Sequence, residues 1–188
     1  MLGDEERREL IGRARSAGAR ALGLRAPAPR EPTGRLAEPG AAFVTWKKDG
    51  RPRGCAGSVE AERSLAADVE ANAVHALLHD PRIAPAQPRE FARHEVEVSV
   101  IGPFEPLSAP SDVVVGRHGV YVEKGARCGL LLPQVASDWG WDAERLLDQV
   151  CLKAGLPAGA WREPGPSLKL FRFEAEVFGE ADERPSPA

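Results

Sequence analysis

The chain has 188 residues, of which 43% are hydrophobic and 28% charged, and its formal net charge is −3 at pH 7. These values predict one domain, or one domain with a small lobe, and enough apolar residues for a core. The acidic balance argues against a protein that wraps nucleic acid, and no apolar run is long enough to span a bilayer.

The three cysteines, Cys55, Cys128 and Cys151, are widely spaced and odd in number, which argues against a disulfide framework. No Cys-x-x-Cys pair is present, so we expect no structural zinc site. The sequence therefore predicts a cytoplasmic protein with reduced thiols, without a metal ion or a cofactor and without membrane association.

The N-terminal part of the chain predicts a helix followed by a connector. Apolar residues recur at helical spacing over residues 4–24, and Asp4 is a suitable N-cap. Residues 25–40 are rich in proline, which favours an extended segment. We expect one domain over residues 1–188, with its main body at 41–178 and a flexible tail at 179–188.

The next segment predicts a β-hairpin. Phe43-Val44-Thr45-Trp46 favours a strand, and Asp49-Gly50 is typical of a tight hairpin turn. The returning segment is Arg53-Gly54-Cys55-Ala56-Gly57-Ser58, in which the glycines allow a sharp bend or a close approach of another group. A thiol, a cation and backbone amides thus lie within six residues.

The remaining elements alternate between helices and strands. Ser64 is a suitable N-cap for a helix that ends near Leu78, and Asp142 is one for a helix that continues through Lys153. Alternation of apolar and polar residues predicts strands at 94–101 and 168–178. The apolar stretches 113–115 and 120–123, which flank Gly116–Gly119, and the returning segment 128–132 favour further strands. Antiparallel strands with helices between them predict the α+β class.

In these segments the chain resembles the AMMECR family, with matches in order from about residue 40 to residue 178. The motifs that carry the resemblance are Phe43–Trp46, Arg53–Ser58, Asp80–Ile83, Glu97–Val100, Phe104–Leu107, Gly116–Gly119, Leu131–Val135, Trp139–Asp142 and Cys151–Leu156. The chain departs from the family pattern at Pro52, Ala56 and Ile83, where leucine, isoleucine and phenylalanine are usual.

The resemblance implies an α+β fold with a larger antiparallel-sheet lobe, a smaller lobe and a cleft between them. It also implies partners, because bacterial members of the family resemble partners of Memo-like dioxygenase-fold proteins and radical-SAM enzymes. It implies no reaction, since the family has none assigned.

One hypothesis is a thiol-dependent enzyme. Cys55 would be the nucleophile or redox thiol, His118 in Gly-x-His-Gly its base, and Glu97 the group that orients the histidine. The alternative interpretation of Cys55 is a small packing residue in a crowded turn, and that of His118 a turn histidine bonded to the backbone. We expect Glu97 to line the same cleft as Cys55 and Arg53 and to pair with an arginine.

The other hypothesis, which we favour, is a binding or regulatory module. Arg53 and Arg82 could bind a carboxylate or phosphate, and the amides of Gly54, Gly57 and Ser58 could add a small anion site. The alternative is ordinary ion pairing of the arginines. Recognition of RNA is the weaker form, because the chain is acidic and lacks an aromatic–basic repeat.

Three further features favour structural roles. His75 and His79 have the spacing of a metal pair but no obvious third ligand, so we expect surface or packing histidines. Trp139 and Trp141 are expected to anchor a core or a lobe junction. Cys128 and Cys151 lie in apolar stretches, which favours packing roles.

Overall fold

The computed structural model describes residues 1–162, 165 and 167–182. The chain folds into two compact units. The first contains Met1–Ile101 together with the chain from Glu176 onward, and the second contains Gly102–Ala175. Helices and antiparallel strands occur in both units, which confirms the predicted α+β class.

The helices are α1 (Asp4–Ala21), α2 (Leu65–Leu78), α3 (Pro133–Trp139) and α4 (Ala143–Lys153). The strands are β1 (Ala42–Lys48), β2 (Arg51–Gly57), β3 (His94–Ile101), β4 (Glu105–Pro106), β5 (His118–Lys124), β6 (Arg127–Leu131) and β7 (Leu168–Gly179). Short 3-10 turns occupy Gly34–Ala37, Pro88–Arg93 and Pro110–Asp112. No helix of the described residues is long and apolar enough to cross a membrane.

In the first unit the strand order is β2-β1-β3-β7, and residues 176–179 of β7 belong to it. Alternate residues of the strands point to one face and enter the core, among them Val44, Trp46, Val96 and Val98. Helices α1 and α2 pack on that same face and contribute Leu10, Ala14, Val69, Ala73 and Leu77 to the core. The opposite face of the sheet is therefore covered by neither helix of this unit.

In the second unit the strand order is β7-β5-β6, and β4 pairs with β7. The core lies between this sheet and helices α3 and α4, and its members include Val120, Val122, Leu146, Leu147 and Val150. Four aromatic rings form a cluster with centroids 5.1 to 6.1 Å apart: Phe104, just before β4, Tyr121 of β5, and Phe171 and Phe173 of β7.

Most predicted elements are confirmed. The Ser64 cap is present, since its hydroxyl accepts the backbone N–H of Ala67, and Asp142 caps α4 in the same way through Arg145. Two expectations were wrong and one helix was missed. Asp4 is the first residue of α1, and Gly3 is its N-cap. Residues 113–115 form no strand, because the carbonyl of Val114 closes a turn by accepting the N–H groups of Arg117 and His118. Helix α3 was missed, since Pro133 was interpreted only as the end of a strand, although proline also suits a first helical turn.

The connector 25–40 contains no strand or α-helix and one 3-10 turn, as its prolines favour. The predicted tail begins at Gly179, whose N–H is bonded to Asp182, and residues 183–188 lie outside the described residues. The expectation of a single domain over the whole chain stays a prediction.

Candidate functional site

The β1–β2 hairpin positions the Arg-Gly-Cys-Ala-Gly-Ser segment. Asp49 and Gly50 have φ values of 53° and 73°, as a type I′ turn requires. The register then shifts by one residue, because Lys47 lies opposite Pro52 while Trp46 lies opposite Gly54. Arg53 is the extra residue of this bulge. The segment continues as strand β2 rather than as a sharp bend, which corrects the interpretation of its glycines as bend residues.

Gly54 instead permits a close approach of helix α2. A Cβ atom added to Gly54 would lie 2.0 Å from the carbonyl oxygen of Ala76. Gly57 makes room for a side chain, since a Cβ atom there would lie 2.2 Å from the ring of Phe43. Both glycines therefore serve packing, on opposite faces of the strand.

Cys55 lies in a row of three residues that crosses three strands. Thr45 is the register partner of Cys55 on one side and of Glu97 on the other. The hydroxyl of Thr45 donates to the sulfur of Cys55 over 3.3 Å. Their positions alternate with those of the core residues, so they lie on the face that α1 and α2 leave uncovered, although Thr45 is itself only 8% exposed. We call this surface the Cys55 face; it consists of Phe43, Thr45, Lys47, Cys55 and Glu97.

The carboxylate of Asp80 holds the backbone of Cys55 from the outer edge of β2. Its Oδ2 accepts the N–H of Cys55 over 3.0 Å, and Arg82 donates to both carboxylate oxygens over 2.8 and 2.7 Å. Arg82 Nη2 also lies 3.5 Å from the carbonyl oxygen of Cys55. The Arg82 guanidinium holds the pKa of Asp80 well below its usual range, so the carboxylate remains charged although it is buried.

Ser58 belongs to a buried polar network. Its hydroxyl donates to Asp68 over 2.7 Å, and its backbone N–H donates to the carbonyl of Ala42 over 3.2 Å. Asp68 also accepts from the N–H of Ala42 and from the side-chain amide of Asn72. This network ties the start of β1 and the end of β2 to helix α2, and it already uses the Ser58 amide that was considered for an anion.

Glu97 pairs with Lys47 rather than with an arginine. The ammonium nitrogen of Lys47 lies 2.5 Å from Glu97 Oε2. Lys47 is two residues from Thr45, the register partner of Glu97, so its side chain emerges on the same face. The two arginines have other partners: Arg53 lies 3.8 Å from Glu90, and Arg82 binds Asp80. The expected arginine pairing was wrong for this reason.

His118 belongs to the second unit, where it lies at the start of β5 and is buried. Its Nδ1 accepts the backbone N–H of Val114 over 3.0 Å, which leaves the ring proton on Nε2 in the neutral form. Nε2 lies 4.0 Å from Glu174. Cys55 and Glu97 belong to the first unit, so the proposed Cys55–His118–Glu97 arrangement stays a prediction.

The other residues singled out from the sequence are two histidines, two cysteines and a tryptophan. The rings of His75 and His79 have centroids 5.5 Å apart, and the described residues contain no group of three potential metal ligands. Cys151 is buried in the second core, whereas Cys128 is exposed, so the packing role expected for Cys128 was wrong. Trp139 is 70% exposed and was wrongly expected to anchor a core.

Sequence reasoning missed Thr45, Lys47 and the role of Asp80. The alternation of Thr45 and Lys47 along β1 was a usable signal, since both precede the Asp49-Gly50 turn on one face. Asp80-Pro81 was noted only as the end of a helix. Nothing in its spacing from Cys55 indicates that its carboxylate returns to the strand.

The comparisons with known proteins agree with this fold. The AMMECR1 family model matches residues 12–178. A protein from Methanothermobacter thermautotrophicus is 44% identical over 144 residues, which cover 73% of this chain and 74% of that protein. A protein from Aeropyrum pernix is 44% identical over 163 residues, which cover 82% of this chain and 70% of that one.

A solved structure is also similar over nearly the whole chain. The crystal structure of an uncharacterized protein from Pyrococcus horikoshii aligns with a TM-score of 0.88 and 35% identity, covering 95% of this chain and 93% of that one. These relatives are archaeal, and their names state no activity. The family match spans both units and includes the Arg53–Ser58 segment, so the chain belongs to the AMMECR1 family.

Proposed function

We propose that this protein is a binding or regulatory module that recognises a partner protein through the Cys55 face. The observation that carries this proposal is the row of Cys55, Thr45 and Glu97 across β2, β1 and β3. The row lies on the sheet face that α1 and α2 do not cover, while the backbone behind it is held by Asp80 and by helix α2. Thr45 is buried, so Cys55 and Glu97, on either side of it, are the partly exposed groups that a partner would meet. Their fixed positions suit recognition, because little ordering is needed on binding.

The environment of the thiol favours binding over catalysis. A catalytic thiol needs a neighbouring base or another means of forming the thiolate. Among the described residues the hydrogen bond recorded for the Cys55 sulfur comes from the hydroxyl of Thr45, and no imidazole or carboxylate is bonded to it. The feature that favours the thiol-enzyme alternative is the nearby Arg82 guanidinium, although Asp80 already binds it.

The composition of the Cys55 face indicates a protein rather than a small anion as ligand. It combines the aromatic ring of Phe43 and the half-buried thiol with the Lys47–Glu97 ion pair. Mixed apolar and polar groups of this kind are typical of protein interfaces. The cations Lys47 and Arg82 each hold a carboxylate, so a free anion would have to compete with Glu97 or Asp80.

The partners implied by family resemblance, Memo-like proteins and radical-SAM enzymes, stay predictions, as does the cytoplasmic location. A Memo-like protein of the same organism is the first partner to test, and in this proposal it would bind to the Cys55 face. In this proposal, binding covers Cys55 and leaves Cys128, in the second unit, open to solvent.

The experiment measures alkylation of Cys55 and Cys128 by iodoacetamide, resolved by mass spectrometry, with and without the purified Memo-like protein. We expect the partner to slow alkylation of Cys55 by at least about tenfold and to leave Cys128 unchanged, since a buried interface excludes the reagent. Reversal of charge at Glu97, as Glu97→Lys, should abolish this protection. The matched control, Glu174→Lys in the second unit, should retain it.

Two outcomes would overturn the proposal. Unchanged alkylation of Cys55 in a complex that forms would show that another surface is used. Alkylation of Cys55 that remains faster than that of Cys128 below pH 7, without a partner, would indicate an activated thiolate and the thiol-enzyme alternative.

A further inference from the structure

The turn after α3 presents a pair of tryptophans at the surface of the second unit. Trp139 is 70% exposed, and its ring stacks on that of Trp141 with centroids 5.9 Å apart and an interplanar angle of 21°. Trp141 is partly buried and packs against the core. A large exposed indole is unusual in a folded protein, because tryptophan is mostly buried, and tryptophan is enriched at binding hot spots.

The backbone fixes this pair in place. Gly140 has a φ of 62° and ends α3 in a Schellman arrangement. The N–H of Gly140 donates to the carbonyl of Ser137, and that of Trp141 donates to the carbonyl of Ala136 over 2.8 Å. The outer ring is thus held on the inner ring before any partner arrives, which reduces the entropy lost on binding.

A carboxylate precedes and another follows the tryptophan pair in the sequence, and the second, Asp142, uses its Oδ1 to cap α4. Asp138 and Asp142 are both exposed and directly adjoin Trp139 and Trp141 in the sequence. An aromatic face beside a carboxylate is attractive to a cation. Within the described part of the chain, the recorded cation–π contacts involve Phe178, Trp46, Phe91 and Trp161, and neither ring of this pair has one.

Trp161, in the same unit, shows the complete arrangement. The guanidinium carbon of Arg162 lies 4.2 Å from its ring centroid, and the guanidinium also binds Asp148 and Glu144 over 2.9 Å each. The indole N–H of Trp161 donates to Asp148. Trp139 has the indole and the neighbouring carboxylates but no guanidinium from this chain among the described contacts.

We propose that Trp139, stacked on Trp141 between Asp138 and Asp142, is a docking platform for an arginine side chain of a basic partner protein. The guanidinium would stack on the outer ring and approach the carboxylates, as Arg162 does at Trp161. This platform lies in the second unit, so the proposal does not depend on the Cys55 face.

An adjoining apolar turn provides further contact area for such a partner. Val114 and Val115 are 51% and 39% exposed. Their turn approaches α3, since a Cβ atom added to Gly116 would lie 2.9 Å from the hydroxyl of Ser137. An apolar rim beside a cation site suits a protein partner more than a free amine.

The test uses the full-length ¹⁵N-labelled chain, whose four tryptophans give four separate indole N–H signals. The probes are the tripeptide acetyl-Gly-Arg-Gly-amide and its citrulline counterpart, which is neutral but has nearly the same shape. We expect the arginine peptide to shift the Trp139 and Trp141 signals and to bind roughly two- to fivefold more tightly than the citrulline peptide, the range of a cation–π contact at an exposed site.

Trp161 is the internal control, because Arg162 already occupies its ring, and its signal should not move. Asp138→Asn should weaken the arginine peptide about twofold, as expected for an exposed charge. Trp139→Ala should abolish the shift at Trp141; the fold of the second unit is checked by the unchanged Trp161 signal, whose N–H is bonded to Asp148.

Three results would overturn the proposal. Equal binding of the two peptides would show that the pair recognises shape rather than charge. An equal shift at Trp161 would show that the peptide binds without selection. Movement of the Trp139 signal with protein concentration alone would assign the platform to a second copy of this chain.

Discussion

The two faces of the sheet in the first unit use the same short segment in different ways. On the face that packs against α2, Gly54 allows the carbonyl of Ala76 to approach so closely that a side chain is excluded. On the opposite face Cys55 contacts the hydroxyl of Thr45 and remains half-buried. The Arg53–Ser58 motif, which looks like one site in the sequence, therefore has residues of two kinds: Gly54 serves packing against α2, whereas Cys55 lies on the opposite face.

This difference predicts that the face packed on α2 tolerates substitutions less well than the Cys55 face. On the packed face Gly54 leaves no room for a side chain beside the carbonyl of Ala76, and the buried side chains of Asp68 and Asn72 are hydrogen-bonded. The Cys55 face has partly exposed side chains that can adjust to a change, such as the ion pair of Lys47 and Glu97. Stability measurements on single variants therefore test the comparison directly.

The largest effect is expected at Gly54. In Gly54→Val the new Cβ atom would overlap the carbonyl of Ala76, and neither strand nor helix can move without disturbing the core. We expect a loss of about 3 kcal/mol or more in the free energy of unfolding, measured in urea, since overpacking against backbone has no inexpensive relief.

Gly57→Val is the matched control. Its Cβ atom would meet the ring of Phe43, which is a side chain and can move to another χ1 rotamer, so we expect a smaller loss. Similar stability of Gly54→Val and the wild type would show that the strand and α2 can separate, and the packing explanation would be wrong.

The outline of this fold could be predicted from the sequence because its elements are locally determined. The Asp49-Gly50 turn, the Ser64 and Asp142 caps and the alternation over residues 94–101 each follow from short-range chemistry. Local signals also explain the error at 113–115, where three valines favour a strand but a turn bonded to His118 forms instead.

The partners of Cys55 could not be predicted in the same way. The two-residue turn alone would place Thr45 opposite Gly54, and the bulge at Arg53 moves Cys55 there instead. No residue type in the segment indicates that a bulge forms there. The Asp80 carboxylate returns to Cys55 from beyond helix α2, a long-range contact that depends on how the helix packs.

The second prediction concerns the carboxylate of Asp80, which accepts the backbone N–H of Cys55. Asp80→Asn keeps the shape of the side chain but removes the charge that Arg82 and the Cys55 N–H bind. We expect a loss of about 2 kcal/mol at pH 7, the scale of a hydrogen bond to a charged group. Asp49→Asn, in an exposed pair with Arg93, should change stability by less than about 0.5 kcal/mol.

The pH dependence gives this prediction a sign. Because the Arg82 guanidinium lowers the pKa of Asp80 below its value in the unfolded chain, this contribution is complete above about pH 4 and is lost as the pH falls. The wild type should therefore lose stability in acid more steeply than Asp80→Asn. If the free energies of unfolding of the two proteins fell equally as the pH is lowered, the charged Asp80 carboxylate would not stabilise the fold.

The third prediction concerns His94 on the packed face. His94 is fully buried, and its Nδ1 bonds the carbonyl oxygen of Glu90. Among the described residues, its Nε2 has no hydrogen-bond partner. Burial lowers its pKa, so the unfolded chain takes up the proton first, and stability should fall as the pH drops below about 6.5.

The measurement compares unfolding of the wild type and His94→Phe between pH 7.5 and 5.5. Phenylalanine keeps a ring beside Phe91 and Trp46 but cannot titrate, so the difference in stability between the two proteins should change over this range. The other histidines are common to both proteins and cancel. A constant difference would show that His94 does not bind a proton on unfolding.

The smallest effect is expected at Cys55 itself. Serine is slightly smaller than cysteine, keeps a group that can accept the hydroxyl of Thr45, and leaves the backbone bond to Asp80 in place. Cys55 is half-buried and Gly54, beside it, carries the tight contact with Ala76. We therefore expect Cys55→Ser to change the free energy of unfolding by less than about 1 kcal/mol, measured in urea beside Gly54→Val. A loss as large as that of Gly54→Val would mean that Cys55 is a packing residue. The Cys55 face would then have a structural role and would not be a binding surface.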